Sequence, residues 1–266
     1  MDISGLPNYR KSNRLRSRKS LYTKYGYPKT DIFEDIFNTY KLKGNESILD
    51  IGCGFGDLLI RLREEGHKGK LDGVDISEGM IKEAKEDSKG LDIQFNVSKA
   101  EELPFKKENF DIIICKHSLY HFQLNKAIKE IERCLKKRGI LIFTLNSYSQ
   151  KSKYYSEKYK SLISEELNNF NFVDTGNNLN FEGYHKYFKN FLILKEVKVH
   201  RYITLKESTP YVEYISTFRE YWDPIPNEKE WIEVLDIVRG DIDNIIQKNG
   251  KFEEKASFGI TVLEKF

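Results

Sequence analysis

The sequence predicts an α/β protein built on a doubly wound, Rossmann-like sheet. Five short apolar segments, each expected to be a strand, alternate with helical patterns between about residues 44 and 146. This alternation is typical of a mostly parallel sheet with right-handed crossover connections. The sharpest local signal is at residues 47–57, where a buried apolar run ends in three alternate glycines and continues as a helix.

Composition indicates an ordinary globular protein. The chain has 266 residues, 32% of them charged and 13% aromatic, which is enough for one elaborated domain or two small ones. A net charge of +3 is too small to indicate nucleic-acid binding by itself. The sequence contains neither an apolar run of about 18–20 residues nor a signal-peptide core, so we expect a cytoplasmic protein without membrane contact. Cys53, Cys115 and Cys134 lack C-x-x-C spacing and indicate neither a disulfide framework nor a zinc site.

The N-terminal residues 1–30 are predicted to form a basic helix or lid. Residues 3–30 carry eight Lys or Arg side chains and no acid, and six of these lie between Arg10 and Lys19. Three interpretations remain open: a lid over a site, a solvated amphipathic helix that packs on the body, and a nucleic-acid patch.

The glycine turn itself limits the ligand. Gly52, Gly54 and Gly56 follow the spacing G-x-G-x-G, whereas a dinucleotide fingerprint reads G-x-G-x-x-G. Asp57 opens the helix that follows, and an acid there would repel a pyrophosphate. The turn therefore suits a ligand that has no phosphate and carries some positive charge.

The flanking elements can be placed in order. Thr30 is expected to cap a helix whose apolar stripe runs from Ile32 to Tyr40. After the turn, a second strand at 71–75 ends in Asp75, nineteen residues beyond Gly56. This is about the interval at which nucleotide-binding α/β units present a carboxylate to a ribose diol. The alternative is a loop aspartate that caps the helix at 78–89.

The segment Asp50-Ile-Gly-Cys-Gly-Phe-Gly56 resembles the first motif of the class I S-adenosylmethionine (SAM)-dependent methyltransferases, in the small-molecule branch that includes quinone-biosynthesis enzymes. The resemblance implies SAM as cofactor and S-adenosylhomocysteine as product. It implies that the glycines and Cys53 line the methionine part and that Asp50 addresses its ammonium. It also implies that Asp75 binds the ribose and that Ile76 lies against the adenine.

The segment 98–105, Ser-Lys-Ala-Glu-Glu-Leu-Pro-Phe, is similar to the third motif of this family. The family's pattern begins Asp-Ala, and its aspartate accepts a hydrogen bond from the adenine amino group. Here Lys99 stands at that position, and an ammonium has only donors. The resemblance then leaves adenine binding to the backbone of Ala100 and Glu101.

The fourth strand, at 110–115, is followed by Lys116-His-Ser-Leu-Tyr-His-Phe122, which resembles the fourth motif. The resemblance implies that the backbone of Cys115 and Lys116 lines the methionine end. His117 and His121 are the candidate general bases, since imidazole titrates near neutral pH. The alternative for His121 is a packed residue that closes the turn. Two histidines without a clear third ligand do not indicate a metal.

The remaining chain is predicted to complete the sheet and to cover it. After a helix at 125–137 and a fifth strand at 139–145, a core at 31–146 ends and a cap insertion occupies 147–197, with a helical segment near 154–167. Residues 198–266 would add the sixth and seventh strands, at 198–205 and 257–264, and a helical insertion at about 206–250. The sheet would then have seven strands, the last of them antiparallel as in the family, with the cap over its carboxyl edge.

The sequence therefore predicts methyl transfer to an oxygen or nitrogen atom of a small-molecule acceptor, by a monomer or homodimer. Tyr22, Tyr25 and Tyr27 could cover the cofactor. One alternative is an RNA methyltransferase that uses the basic N-terminus, although no Asn/Asp-Pro-Pro-aromatic signature follows the fourth strand, so nucleic acid is disfavoured as a partner. The other alternative, suggested by Lys99, is a noncatalytic SAM-binding protein.

Overall fold

The computed structural model describes residues 20–29, 31–147, 179–219 and 225–266, with the backbone of two short strands at 171–172 and 222–223. The basic run from Arg10 to Lys19 and the helical segment expected near 154–167 lie outside the described residues. None of the helices in the described ranges combines the length and the hydropathy of a membrane-spanning segment.

The elements follow the order that the sequence predicts. The strands are β1 Gly26–Tyr27, β2 Ile48–Ile51, β3 Leu71–Asp75, β4 Gln94–Val97, β5 Phe110–Lys116, β6 Leu135–Asn146, β7 Asn171–Phe172, β8 Phe191–Leu205, β9 Trp222–Asp223 and β10 Phe252–Lys265. The helices are α1 Ile32–Thr39, α2 Asp57–Glu64, α3 Glu78–Asp87, α4 Leu124–Cys134, α5 Thr209–Ser216 and α6 Glu228–Asn249. Short 3-10 turns lie at Leu119–His121 and Tyr184–Tyr187.

The main sheet has the order β1-β8-β10-β6-β5-β2-β3-β4. Strands β2 to β6 pair in parallel, whereas β10 is antiparallel to both β6 and β8. The predicted fold class is therefore confirmed, including the antiparallel last strand. The sheet has eight strands instead of seven because the two-residue β1 pairs with the end of β8. A strand of two residues has no alternating pattern that a sequence could reveal.

Several boundaries differ from the predictions: β8 and β10 begin at Phe191 and Phe252, earlier than the predicted residues 198 and 257. Asp31, not Thr30, caps α1, since its side chain accepts a hydrogen bond from the amide of Phe33. Helix α4 ends at Cys134, before the predicted residue 137, and β6 begins at once. The reason is strand pairing: Leu135 is buried and lies opposite Phe110 of β5, which holds it in the sheet although the Lys and Arg residues after it look helical.

Strand β2 is the middle one of the five parallel strands and is buried along its whole length, with a core cluster on each face. Beyond the carboxyl edge, β8 and β10 continue as a wall, to which β1 adds a short third strand. Phe258 pairs with Asn146, the last residue of β6, while β10 starts six residues earlier, at Phe252. Helices α5 and α6 pack on this wall and form a third core cluster. The wall therefore overhangs the edge at which β2, β3 and β5 end.

Candidate functional site

The glycine turn after β2 is open to a ligand at Gly54. Gly52, Gly54 and Gly56 have φ values of +75°, +56° and +74°, in the left-handed region that favours glycine. A Cβ at Gly52 would lie 2.5 Å from the Ser118 Cβ, and one at Gly56 would lie 2.4 Å from the Phe95 ring. At Gly54, no described atom lies within 4 Å of a Cβ position. The outer glycines are thus needed for packing, and the middle one leaves an open surface.

Asp75 joins the turn to the end of β3. Its Oδ2 accepts the amide N–H of Gly54 at 2.9 Å, and its Oδ1 accepts that of Ser77, also at 2.9 Å. Burial raises the pKa of the Asp75 carboxyl, and the amide donors of Ser77, Gly54 and Ile76 oppose that rise. Each carboxylate oxygen has a second lone pair. The side chain can therefore hold the turn and still accept hydrogen bonds from two hydroxyl groups of a ligand.

Asp50 is a buried acid at the third position of β2. The residue is 0% exposed, and neither carboxylate oxygen has a hydrogen-bond partner among the described residues. Burial raises the pKa of Asp50 to about 7; Lys116 lowers it, while Asp57 and Asp75 raise it. An isolated buried carboxylate is costly. A cation placed beside it would stabilise the ionised form.

Lys116, at the end of β5, points toward the start of α2. Its Nζ lies 3.1 Å from Asp57 Oδ1 and 4.5 Å from the centroid of the Phe33 ring in α1.

The thiols of Cys53 and Cys115 are buried close by, and burial raises the pKa of both well above the usual value. These thiols are therefore protonated and serve packing.

The surface at the ends of β3 and β4, where the resemblance places the adenine, is mostly apolar. Ile76 is half-buried, Val97 is 49% exposed and Ala100 is buried. Lys99 is exposed. The Glu101 carboxylate accepts the amide of Gln123 at 2.6 Å, so that side chain ties two loops together.

The two histidines do not share a helical face. His117 has a φ of +52° and precedes the 3-10 turn that contains His121. Its amide donates to Thr144 Oγ1 at 2.9 Å, and its ring packs edge-on against Phe258. Burial lowers the pKa of His117 to about 4, and the charges of Lys116 and Arg201 act in the same direction. His117 is therefore neutral at pH 7 and is a weak base.

Two other side chains take positions that the sequence did not indicate. Tyr22 packs edge-on against Tyr214 of α5, with ring centroids 6.1 Å apart, so its described contact is with the overhanging helices. Ser118 donates a hydrogen bond to the Ile51 carbonyl at 2.7 Å and fills the space beside Gly52. In the sequence, only the position of Ser118 just after the end of β5 could have indicated this role. The hydrogen bond forms only because β2 and β5 are neighbouring strands.

In the part of the chain that the structure describes, no group of three or more His, Cys, Asp or Glu side chains is arranged to hold a metal ion. Three features of the site do fit SAM, however. Asp50 offers a buried anion for an ammonium, Asp75 offers acceptors for a diol, and Gly54 offers bare backbone between them.

Comparison with known proteins identifies the family. The model of the "Methyltransferase domain" family matches residues 42–192, more than half of the chain and all of β2 to β6. The chain belongs to this family. The resemblance expected from the sequence is thereby confirmed, and with it SAM as the cofactor.

Curated relatives of this methyltransferase share its core. The ubiquinone/menaquinone biosynthesis C-methyltransferase UbiE of Rickettsia felis is 33% identical over 138 residues, which cover 48% of this chain and 55% of that protein. The uncharacterized methyltransferase YcgJ of Bacillus subtilis is 32% identical over 108 residues, 39% of this chain and 42% of that protein. The chain thus spans about half the length of the curated relatives it matches.

Solved structures extend the likeness of fold beyond the core. The crystal structure of YcgJ superposes with a TM-score of 0.58 at 19% identity, over 88% of this methyltransferase and 97% of that chain. A geranyl diphosphate methyltransferase in complex with SAM superposes with a TM-score of 0.54 at 13% identity, over 88% and 84% of the two chains.

Proposed function

We propose that this methyltransferase binds SAM over the turn at Gly52–Gly56 and transfers its methyl group to an oxygen or nitrogen atom of a small-molecule acceptor. The observation that carries the proposal is Asp50, a fully buried carboxylate with no hydrogen-bond partner among the described residues. Such a group is stabilised by an ammonium and would be destabilised by a phosphate. A ligand with an amino-acid end fits this requirement, whereas a dinucleotide does not.

The other contacts follow from the order of the strands. Asp75 would accept both ribose hydroxyls while it holds the Gly54 amide. The adenine would lie between the apolar surfaces of Ile76 and Val97, against the backbone at Ala100 and Glu101. Lys99 would remain in solvent and would not replace the family's aspartate. The backbone of Cys115 and the turn residue Cys53 would line the methionine end.

When bound, SAM supplies a methyl group that is attached to a sulfonium sulfur. The neutral thioether that remains after transfer is a good leaving group. The chain's own part is to bind, orient and exclude water. Since His117 is a weak base, the site favours acceptors that are nucleophilic at neutral pH, such as a neutral amine or an acidic hydroxyl. The names of curated relatives support a second candidate, transfer to an acidic carbon, because UbiE is named a C-methyltransferase.

The acceptor would lie beneath the wall formed by β8 and β10, with α5 and α6 on its far side. We propose a division into a cofactor-binding core at 31–146, a cap insertion that ends where β8 begins at Phe191, and a C-terminal part from Phe191 to residue 266; the boundary expected at 197/198 falls inside β8. We also propose that the N-terminal residues before β1 form a lid; among the described ones, the contact between Tyr22 and Tyr214 supports this. A monomer or homodimer stays the expected state.

Binding and transfer should be tested separately. Titration calorimetry with SAM and with S-adenosylhomocysteine should show binding of both, and failure of the folded protein to bind either would refute the proposal. A mass-spectrometric screen for methyl transfer should then offer three classes of small molecule, namely amines, hydroxylated compounds and carbon acids. Bulk tRNA should be offered beside them. We expect methylated small molecules. Salt-sensitive methylation of tRNA that requires residues 1–20 would favour the RNA alternative, and binding without any transfer would favour a noncatalytic protein.

A further inference from the structure

Lys116 places a positive charge beside Asp57, the acid that follows the glycine turn, and this charge also acts on Asp50. The side chain is 17% exposed, and its Nζ lies 3.1 Å from Asp57 Oδ1. The ring of Phe33 covers it from α1, with its centroid 4.5 Å from the same Nζ. An ammonium has three donors. Among the described residues, Lys116 donates to Asp57, which leaves donors for a ligand.

The ligand of the proposed function is a zwitterion at this end. Its ammonium has a partner in Asp50, but its carboxylate would enter a region that already holds Asp50 and Asp57. Two like charges a few ångströms apart destabilise each other unless a cation is present. Lys116 is the cation whose charge acts on Asp50. The charges around the turn are therefore complementary to an amino acid only if Lys116 takes part.

We infer that the Lys116 ammonium binds the carboxylate of the cofactor's methionine end, with Asp57 holding Lys116 in position. This inference rests on the proposed function. It concerns the side chain of Lys116, in addition to the backbone contact expected from the sequence. The competing explanation is structural: the ion pair would only fasten the start of α2 to the end of β5.

The two explanations differ in ligand specificity. The test ligands are S-adenosylhomocysteine and S-adenosyl-3-thiopropylamine, which is the same molecule without its carboxylate. Calorimetry should show that the wild-type protein prefers S-adenosylhomocysteine by about 10–100-fold, as expected for a hydrogen-bonded charge pair. In Lys116→Met, which keeps the aliphatic stem, this preference should fall to within about threefold through loss of S-adenosylhomocysteine affinity alone.

A matched control exists on the same sheet. Lys70 pairs with Asp72 at 2.8 Å and lies 5.1 Å from the centroid of the Phe110 ring, but at the amino end of β3. Lys70→Met should leave the preference unchanged. An unchanged preference in Lys116→Met, or an equal loss of affinity for both ligands, would overturn the inference while the proposed function stands. If the wild-type protein binds neither ligand, the proposed function itself fails and the inference falls with it.

A second variant covers the case in which Lys116→Met does not fold. In Lys116→Gln, the side chain loses its charge but keeps an N–H donor for Asp57. The preference for S-adenosylhomocysteine should again fall to within about threefold, because a neutral amide does not offset the charge of the ligand carboxylate. A preference that stays at the wild-type value in this variant would contradict the inference.

Discussion

The amide of Gly54 donates a hydrogen bond to Asp75 Oδ2 at 2.9 Å, which joins the glycine turn after β2 to the acid at the end of β3. The turn and the acid are 21 residues apart in sequence and form one unit. A ligand that contacts both therefore meets a surface that is already ordered. Preorganised contacts of this kind lower the entropic cost of binding.

We expect Asp75→Asn to weaken the binding of S-adenosylhomocysteine by about 10–100-fold. A carboxamide has one acceptor oxygen in place of two, so it cannot hold the Gly54 amide and accept both ribose hydroxyls. Calorimetry measures the change. The control is Asp72→Asn, on the same strand at the opposite end, where the carboxylate pairs with Lys70. Equal affinities in the two variants would argue against the ribose contact.

Gly54→Ala should fold and lose cofactor affinity. The left-handed φ of +56° costs an alanine roughly 1–2 kcal/mol, but its Cβ meets no described atom within 4 Å and would project onto the binding surface. Gly90→Ala is the matched control, since Gly90 has a φ of +83° and equal space but lies after α3. Thermal unfolding should show similar losses of stability in both variants, and calorimetry should show lost binding in Gly54→Ala alone. Retained binding in that variant would place the ligand elsewhere.

Asp50 should make both stability and binding depend on pH. Because its pKa is raised to about 7 in the folded protein, Asp50 stays protonated there at pH values at which the unfolded chain has ionised it. Its contribution to the free energy of unfolding therefore decreases as pH rises from about 4 to 7 and is constant above that. Thermal unfolding of Asp50→Asn should lack this component. A variant with the same pH profile as the wild type would show that Asp50 ionises normally.

The same residue should link cofactor binding to proton release. An ammonium prefers the ionised carboxylate, so affinity for S-adenosylhomocysteine should fall by up to about tenfold per pH unit below 7. Calorimetry at one pH in two buffers of different ionisation enthalpy measures the released proton. Asp50→Asn should bind more weakly and release none.

His117→Ala should leave the rate of methyl transfer within about tenfold, at saturating SAM and with the acceptor found by screening. The reason is its lowered pKa of about 4, which leaves little driving force to accept a proton at pH 7. A positioned base would instead contribute about 10²–10⁴-fold. His121→Ala and the double variant complete the series. A drop of that larger size, with cofactor affinity preserved, would identify the base and favour an oxygen acceptor.

Much of the cofactor side could be predicted because its signals are local. The run from Asp50 to Gly56 is contiguous, and its spacing excludes a dinucleotide turn without any knowledge of the fold. Asp75 follows at a fixed interval because one crossover helix separates neighbouring parallel strands. The alternation of strands and helices likewise predicts the parallel sheet.

The sequence by itself determined the fold class, the family and the position of the glycine turn. Tertiary structure decided which charges meet: Lys116 and Asp57 are 59 residues apart and become neighbours only because β5 lies beside β2. It also decided the protonation of Asp50 and His117. From residue type alone, Asp50 would be expected to be ionised at neutral pH and His117 to titrate near it, whereas burial raises the pKa of the first and lowers that of the second. The pKa of each depends on the water and charges around it, and only the assembled sheet, helices and wall determine these.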